Sequence, residues 1–298
     1  MQQDNPYYAL IMAGGEGTRF APLSTPSRPK QFLNLLDQKQ SLLQQTYVRL
    51  LDSVPQKNIL IATNQRYIPL VQEQLPDLIP AQIFGETRKK NTAPCLAWIC
   101  FQLFQKNKNA IVAACPADHF ITPLPLFTET LKETFHMAER HNTIVTIGIR
   151  PTFSSTQFGY IRTDAAPGLP RPLRGLAMTV QNFVEKPDAA TAQKYFEDKN
   201  YYWNSGMFIF PVQKMMECIA EFLPEMFSLL QKKPTLEAFF EEVQSISIDY
   251  GVMEKTKGLM MLEAPFTWSD VGTWENLRKL VEEHGIELSA EVIPLLQK

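Results

Sequence analysis

Much that would mark a metal-knit, secreted or membrane protein is missing from the 298-residue chain. There are four cysteines (Cys95, Cys100, Cys115, Cys218) without a CxxC pair, and four histidines (His119, His136, His141, His284) without an HExxH. This pattern offers no structural zinc site and no disulfide framework, and it points to a reducing, cytoplasmic setting. No run of about 18 apolar residues occurs, so no membrane span is expected. The start, MQQDNPYYALIMAGG, has neither a basic stretch nor a long apolar run, as a cleavable leader would. Charge of one sign is not in excess: Lys plus Arg is 29, Asp plus Glu is 31, and the net charge is −2. That balance argues against nucleic acid as a partner, leaving room for a local basic site that takes a phosphorylated small molecule. What is present is ordinary globular composition, 45% hydrophobic and 20% charged, without repeats or low-complexity runs.

Short apolar runs alternate with helical patterns. YYALIMA (7–13), NILIAT (58–63), AQIFGE (81–86), NAIVAACPAD (109–118) and NTIVTIGI (142–149) read as strands. Helices are expected over 41–54, with Ser41 as N-cap, and over 92–106 and 125–140. Residues 150–180, rich in proline and glycine, read as β-excursions inserted into the frame. Beyond them come the strand in QNFVEKP, a helix over 188–198, the buried strand MFIF and another helix; KGLMMLEAP (257–265) and a helix over 273–283 end the pattern. The predicted class is α/β, a Rossmann-like, mostly parallel sheet with helices on both faces, in one domain.

The first strand runs straight into GGEGTR (14–19). Ligands of open parallel sheets bind beyond the carboxyl ends of the strands, and glycines there let backbone N–H groups approach phosphate oxygens. Gly14, Gly15, Gly17 and Thr18 are therefore candidate nucleotide contacts. The loop is not a Walker A sequence, and the dinucleotide fingerprint fails because Phe20 stands where a third glycine is required. Arg19 follows, then Lys30 after a stretch stiffened by Pro22, Pro26 and Pro29. A guanidinium and an ammonium beside such a loop suit a triphosphate with a departing pyrophosphate. The same residues also read as a tight turn with two solvated cations.

IMAGGEGTRFAPLSTPSRPKQF resembles the signature of sugar-nucleotide pyrophosphorylases, more narrowly of mannose-1-phosphate guanylyltransferases. KNTAP (90–94), PADHFI (116–121), GIRPTFSSTQFGYI (148–161), NFVEKP (182–187), YWNSGMF (202–208), IDYGVME (248–254) and FTWSDVGTWENL (266–277) follow in the family's order. The chain departs from the family pattern at Phe20-Ala21 (usually Leu-Trp), at Thr25 (usually Arg), at Lys90 (usually Arg) and at Gln157-Phe158 (usually Gly-Tyr). The resemblance implies a catalytic domain of the nucleotide-diphospho-sugar transferase type over 1–284 and a short tail over 285–298, without the C-terminal β-helix or cupin isomerase domain of longer members.

The implied reaction is GTP plus mannose 1-phosphate giving GDP-mannose and pyrophosphate. A phosphate monoester, with a second pKa of about 6, is already largely anionic at neutral pH and needs no side-chain base. Catalysis is then positioning and charge neutralisation by Arg19, Lys30, Asp118, Lys186 and Asp270. The resemblance places Asp118 and Asp270 on one Mg²⁺, Glu185 on sugar hydroxyls, Lys186 on the sugar phosphate, and Gly159, Asn204 and Gly206 around the hexose. Guanine's two donors suit a carboxylate, and Glu86 at a strand end is the candidate; Asn91 and Thr92 are candidates to hold the base or ribose. Each has a plainer reading: Asp118 as a turn or cap, Asp270 as a cap of helix 273–283, Asn91 as a helix cap, and Glu185–Lys186 as a solvated pair. His119 reads as structural, since the chemistry does not call on it. A thymidylyl-, uridylyl- or adenylyltransferase stays open as an alternative, as does a non-catalytic homologue that binds nucleotide sugars. The oligomeric state is expected to be monomer or homodimer.

Overall fold

The computed structural model describes residues 5–36, 39–163, 177–286 and 288–296. In chain order its elements are β1 (Tyr7–Met12), α1 (Leu42–Leu51), β2 (Ile59–Asn64), α2 (Ile68–Gln74), β3 (Ile83–Glu86), α3 (Thr92–Lys106) and β4 (Ile111–Pro116). Next come β5 (Phe120–Thr122), α4 (Leu124–His141), β6 (Val145–Ile149), β7 (Tyr160–Thr163), β8 (Ala177–Val184), α5 (Ala189–Glu197) and β9 (Tyr201–Pro211). α6 (Val212–Phe222), α7 (Pro224–Gln231), α8 (Leu236–Glu242), a π-helical turn (Asp249–Met253), β10 (Met260–Glu263), β11 (Thr267–Ser269), α9 (Trp274–His284) and α10 (Ile293–Leu296) complete the list. The contacts divide the chain into two compact units, the first within 9–86, 115–128 and 266–298, the second within 1–8, 87–114 and 129–265.

In the first unit β1, β2 and β3 pair in parallel, with Ala9 opposite Ile59 and Ile61 opposite Ile83. Leu10, Ile11, Ile59 and Ile61 are fully buried, which is why these strands read as continuous apolar runs. α1 begins where the sequence places its cap. Ser41 Oγ accepts from Gln44 N at 3.2 Å while Gln44 Oε1 accepts from Ser41 N at 2.9 Å, a reciprocal capping box. A cluster of Phe20, Leu33, Leu35, Leu42, Val271, Leu277 and Val292 packs the segment after the glycine loop against α9. Phe20, a departure from the family pattern, is fully buried with its ring 5.0 Å from that of Trp274.

The second unit carries the strand order β4-β9-β6-β10-β8-β7. β6 and β10 are parallel. β9 runs antiparallel to β4, β6 and β7, and β8 antiparallel to β10 and β7. The α/β class expected from the sequence is what the structure shows, with a larger antiparallel share than strand–helix alternation suggested. The reason is β9, antiparallel to its three neighbours and eleven residues long rather than the four of MFIF, because YYWN is extended as well, with Tyr202, Trp203 and Asn204 buried. Phe158, the other aromatic departure, packs its ring 5.0 Å from that of Trp203. The excursions expected over 150–180 correspond in part to β7 and the start of β8; their stretch 164–176 lies outside the described residues. Among the described residues no helix is long and apolar enough to cross a membrane.

Candidate functional site

The glycine loop of the first unit is held by its carbonyls. Gln31 Nε2 donates to Ala13 O at 2.7 Å and to Gly15 O at 2.9 Å. Thr63 Oγ1 donates to Ala13 O, and Ser24 Oγ donates to Gly17 O at 2.6 Å. The Ala13, Gly15 and Gly17 oxygens are thus satisfied by protein, and Gly15, Thr18 and Arg19 are exposed. Gly17 has φ 59° and lies so close to Lys30 that a Cβ there would be 2.3 Å from Lys30 Cβ. Only glycine fits both the backbone and the space. Glu86, at the carboxyl end of β3, brings Oε1 to 3.9 Å from where a Gly14 Cβ would be.

Lys30 joins the two distant aspartates. Its Nζ donates to Asp118 Oδ2 at 2.9 Å and to the Asp270 carbonyl at 2.6 Å. Asp118 follows β4, while Asp270 follows β11. Burial pushes the Asp118 carboxyl up, but the charge and hydrogen bond of Lys30, with His119 and a backbone hydrogen bond, hold this group below the usual carboxylate range. Burial raises Asp270, Lys30 opposes that, and the negative charge of Asp118 adds to the rise; Arg19 is a further cation acting on it. Two like charges sensing one another across an ammonium form a place where added positive charge is favourable. Asp270 does not cap α9, whose cap is Thr273, with Oγ1 accepting from Asn276 N.

The backbone around Asp118 is clamped from α1. Thr46 Oγ1 donates to Ala117 O at 3.0 Å and Arg49 Nη2 to His119 O at 2.9 Å. Trp268 Nε1 donates to His119 Nδ1 at 3.1 Å. Burial lowers the His119 pKa to about 4, so this imidazole is a neutral acceptor, in keeping with its structural reading.

The second unit gathers the residues expected at the sugar phosphate. β8 ends at Val184. Beyond it Lys186 has φ 46°, a backbone turn that lets neighbours meet: Lys186 Nζ is 2.7 Å from Glu185 Oε1. Burial lowers the Lys186 pKa, but Glu185, joined by Asp249 and Tyr250, turns the net shift upward. A Cβ on Gly159 would be 2.5 Å from Glu185 Oε2 and 3.4 Å from Asn204 Cβ, so this glycine keeps open the space these side chains border. Asn204 Oδ1 accepts from Gly206 N at 3.1 Å and from Thr146 Oγ1 at 3.2 Å, and Nδ2 donates to Asp249 Oδ1 at 3.2 Å.

Asn91 caps α3, its Oδ1 accepting from Thr92 N at 2.9 Å, and Thr92 Oγ1 accepts from Ile248 N at 2.8 Å. Both oxygens are engaged in local structure, within the second unit, whereas Glu86 belongs to the first. Sequence reasoning missed Ser24, seven residues from its partner Gly17, and Gln31, Thr46, Arg49, Thr146, Asp249 and Glu254, whose roles depend on partners distant in sequence. Asp249 and Glu254 did lie in a quoted block. Among the described residues no group of three or more His, Cys, Asp or Glu side chains could hold a metal.

The Nucleotidyl transferase family matches residues 8–284, and the chain belongs to that family. It is similar to a mannose-1-phosphate guanylyltransferase of Escherichia coli, 34% identical over 291 residues, covering 93% of this chain and 62% of that protein. One from Salmonella montevideo is 36% identical over 287 residues, covering 92% of this chain and 60% of that protein. A Thermus thermophilus crystal structure, described as a mannose-1-phosphate geranyltransferase, superposes with a TM-score of 0.83 at 32% identity over 93% of this chain and 79% of that one. The chain spans about three fifths of the length of the curated relatives it matches.

Proposed function

We propose that the protein transfers GMP from GTP to mannose 1-phosphate. The sugar phosphate oxygen attacks the α-phosphorus in line, and the bond to pyrophosphate breaks. Residues 1–284 form the catalytic domain, acting in the cytoplasm as a monomer or homodimer. The observation that supports this most is the convergence of Asp118 and Asp270 on Lys30, beside the glycine loop. It is joined by the names of the guanylyltransferase relatives.

The donor set fits Mg²⁺. That ion takes one or two carboxylates and fills its octahedron with phosphates and water, so a pair of aspartates suffices where no larger cage is assembled. Asp118 and Asp270 would hold it, and when bound it supplies positive charge to phosphate oxygens. The residues of the chain do the rest. Gly14, Gly15, Gly17 and Thr18, in a loop whose Gly15 and Gly17 carbonyls are taken by protein, present amides to the triphosphate. Arg19 and Lys30 attract the departing pyrophosphate, and Glu86 accepts from guanine. Asn91 and Thr92, at the amino end of α3, help hold the base or ribose through groups that the helix cap does not use. Lys186 exchanges its pairing with Glu185 for the sugar phosphate, releasing Glu185 to hydroxyls; Asn204, Gly159 and Gly206 shape the hexose pocket.

Pyrophosphate release from GTP with Mg²⁺, measured with and without mannose 1-phosphate, tests the reading. Release that requires both substrates is expected. Release with another nucleoside triphosphate or sugar phosphate in preference would transfer the protein to a sister activity, and binding without release would make it a non-catalytic homologue.

A further inference from the structure

The block IDYGVME (248–254) has no part in the scheme above, yet both its ends reach residues of the sugar-phosphate group. It contains the π-helical turn Asp249–Met253, an element enriched at functional sites. At one end Asp249 Oδ1 accepts from Asn204 Nδ2 at 3.2 Å. At the other, Glu254 Oε1 accepts from Glu185 N at 3.0 Å. The turn is itself pinned to the start of α3: Ile248 N donates to Thr92 Oγ1, Ala93 N to Ile246 O, and Ile246 N to Lys90 O.

Asn204 is consequently oriented from three directions, its oxygen taken by Gly206 and Thr146 and its amino group by Asp249. Asp249 is close enough to Glu185 and Lys186 for both charges to act on it. Among the described residues no other side chain donates a hydrogen bond to Asp249. Its remaining acceptor capacity belongs to a carboxyl group bonded to Asn204 and near enough to Glu185, Lys186 and Glu254 to feel their charges. Carboxylates accept, and the hydroxyls of a hexose are donors that such groups can take.

We propose that Asp249 is a sugar-contacting residue: Oδ1 holds the amide of Asn204, Oδ2 accepts one hydroxyl of the hexose, and the pair discriminates among sugar phosphates. This rests on the reading of the second unit as the sugar-phosphate site. A site built to bond a hydroxyl rejects the analogue lacking it far more strongly than an apolar pocket rejects a size change.

The test compares mannose 1-phosphate with its 2-, 3-, 4- and 6-deoxy analogues in the wild type and in Asp249→Ala, reading KM and kcat for the sugar phosphate and KM for GTP. In the wild type, one deletion should raise the sugar-phosphate KM about tenfold or more, and in Asp249→Ala that same deletion should have lost most of its penalty, with KM for GTP changed by less than about threefold. Deoxy penalties that persist undiminished in the variant overturn the proposal, because a residue that merely braces the fold would leave them in place. Should Asp249→Ala fail to fold, Asp249→Asn decides by the same comparison. Wild-type turnover only with a different sugar phosphate would refute the proposed substrate, and deoxy forms of that other sugar would still decide on Asp249.

Discussion

The two units treat charge in opposite ways. In the first, donors dominate: loop carbonyls are occupied by Gln31, Thr63 and Ser24, Arg19 is exposed, and Lys30 is shared between an aspartate side chain and a carbonyl. In the second, acceptors dominate: Glu185, Asp249 and Glu254 are gathered round Lys186 and Asn204. An exposed guanidinium beside a glycine loop suits the oxygens of a polyphosphate, whereas a group rich in acceptors suits the hydroxyls of a sugar, with Lys186 as the cation for its phosphate. Kinetic parameters for the two substrates should therefore separate by unit.

The sharpest break is expected at Asp118. Asp118→Asn keeps an acceptor for Lys30 but removes the charge, and turnover should fall by about a thousandfold, far more than the loss of stability from the weakened pairing with Lys30. Unchanged turnover with unchanged Mg²⁺ dependence would take Asp118 out of the chemistry. Lys186→Ala should raise KM for mannose 1-phosphate by about 10- to 100-fold, the worth of one charged hydrogen bond. A rise confined to GTP would contradict the assignment of substrates to units. Gly17→Ala forces a side chain into a left-handed residue against Lys30, and urea titration should show a loss of the order of 1–3 kcal/mol; wild-type stability would mean that the loop relaxes freely.

The smallest effect concerns pH. Burial first, then Glu185, pushes the Asp249 carboxyl from about 3.8 up to about 7. Between those values the folded chain keeps a proton that the unfolded chain has released. Stability from this group thus declines as pH rises through that window and stays reduced above it. Asp249→Asn should raise the melting temperature at pH 8, with the gain fading as pH falls towards 4. An equal gain at every pH would assign it to packing instead of charge.

How much of this was legible in the sequence follows from the range of each interaction. Ser41 as the cap of α1 and the parallel apolar strands are local patterns, and they stand where capping chemistry and periodicity put them. The meeting of Asp118 and Asp270 is long-range, and family resemblance suggested it where spacing had nothing to offer. Lys30 was expected as a phosphate ligand only, because nothing local announces that its ammonium also ties two loops together. Asn91 was ambiguous, and the structure uses its oxygen as a cap. The length of β9 was underestimated because YYWN, rich in polar-tipped side chains, does not look like a core strand until Tyr202 and Trp203 are seen buried.

The alternation of the two units along the chain, in six successive segments, limits how the protein could be re-engineered. Neither unit can be excised with one cut or exchanged as a cassette between homologues. A chimaera designed to accept a different sugar would have to transplant separate stretches and leave several splice points compatible at once. Point substitutions at the pocket are the simpler route to altered specificity.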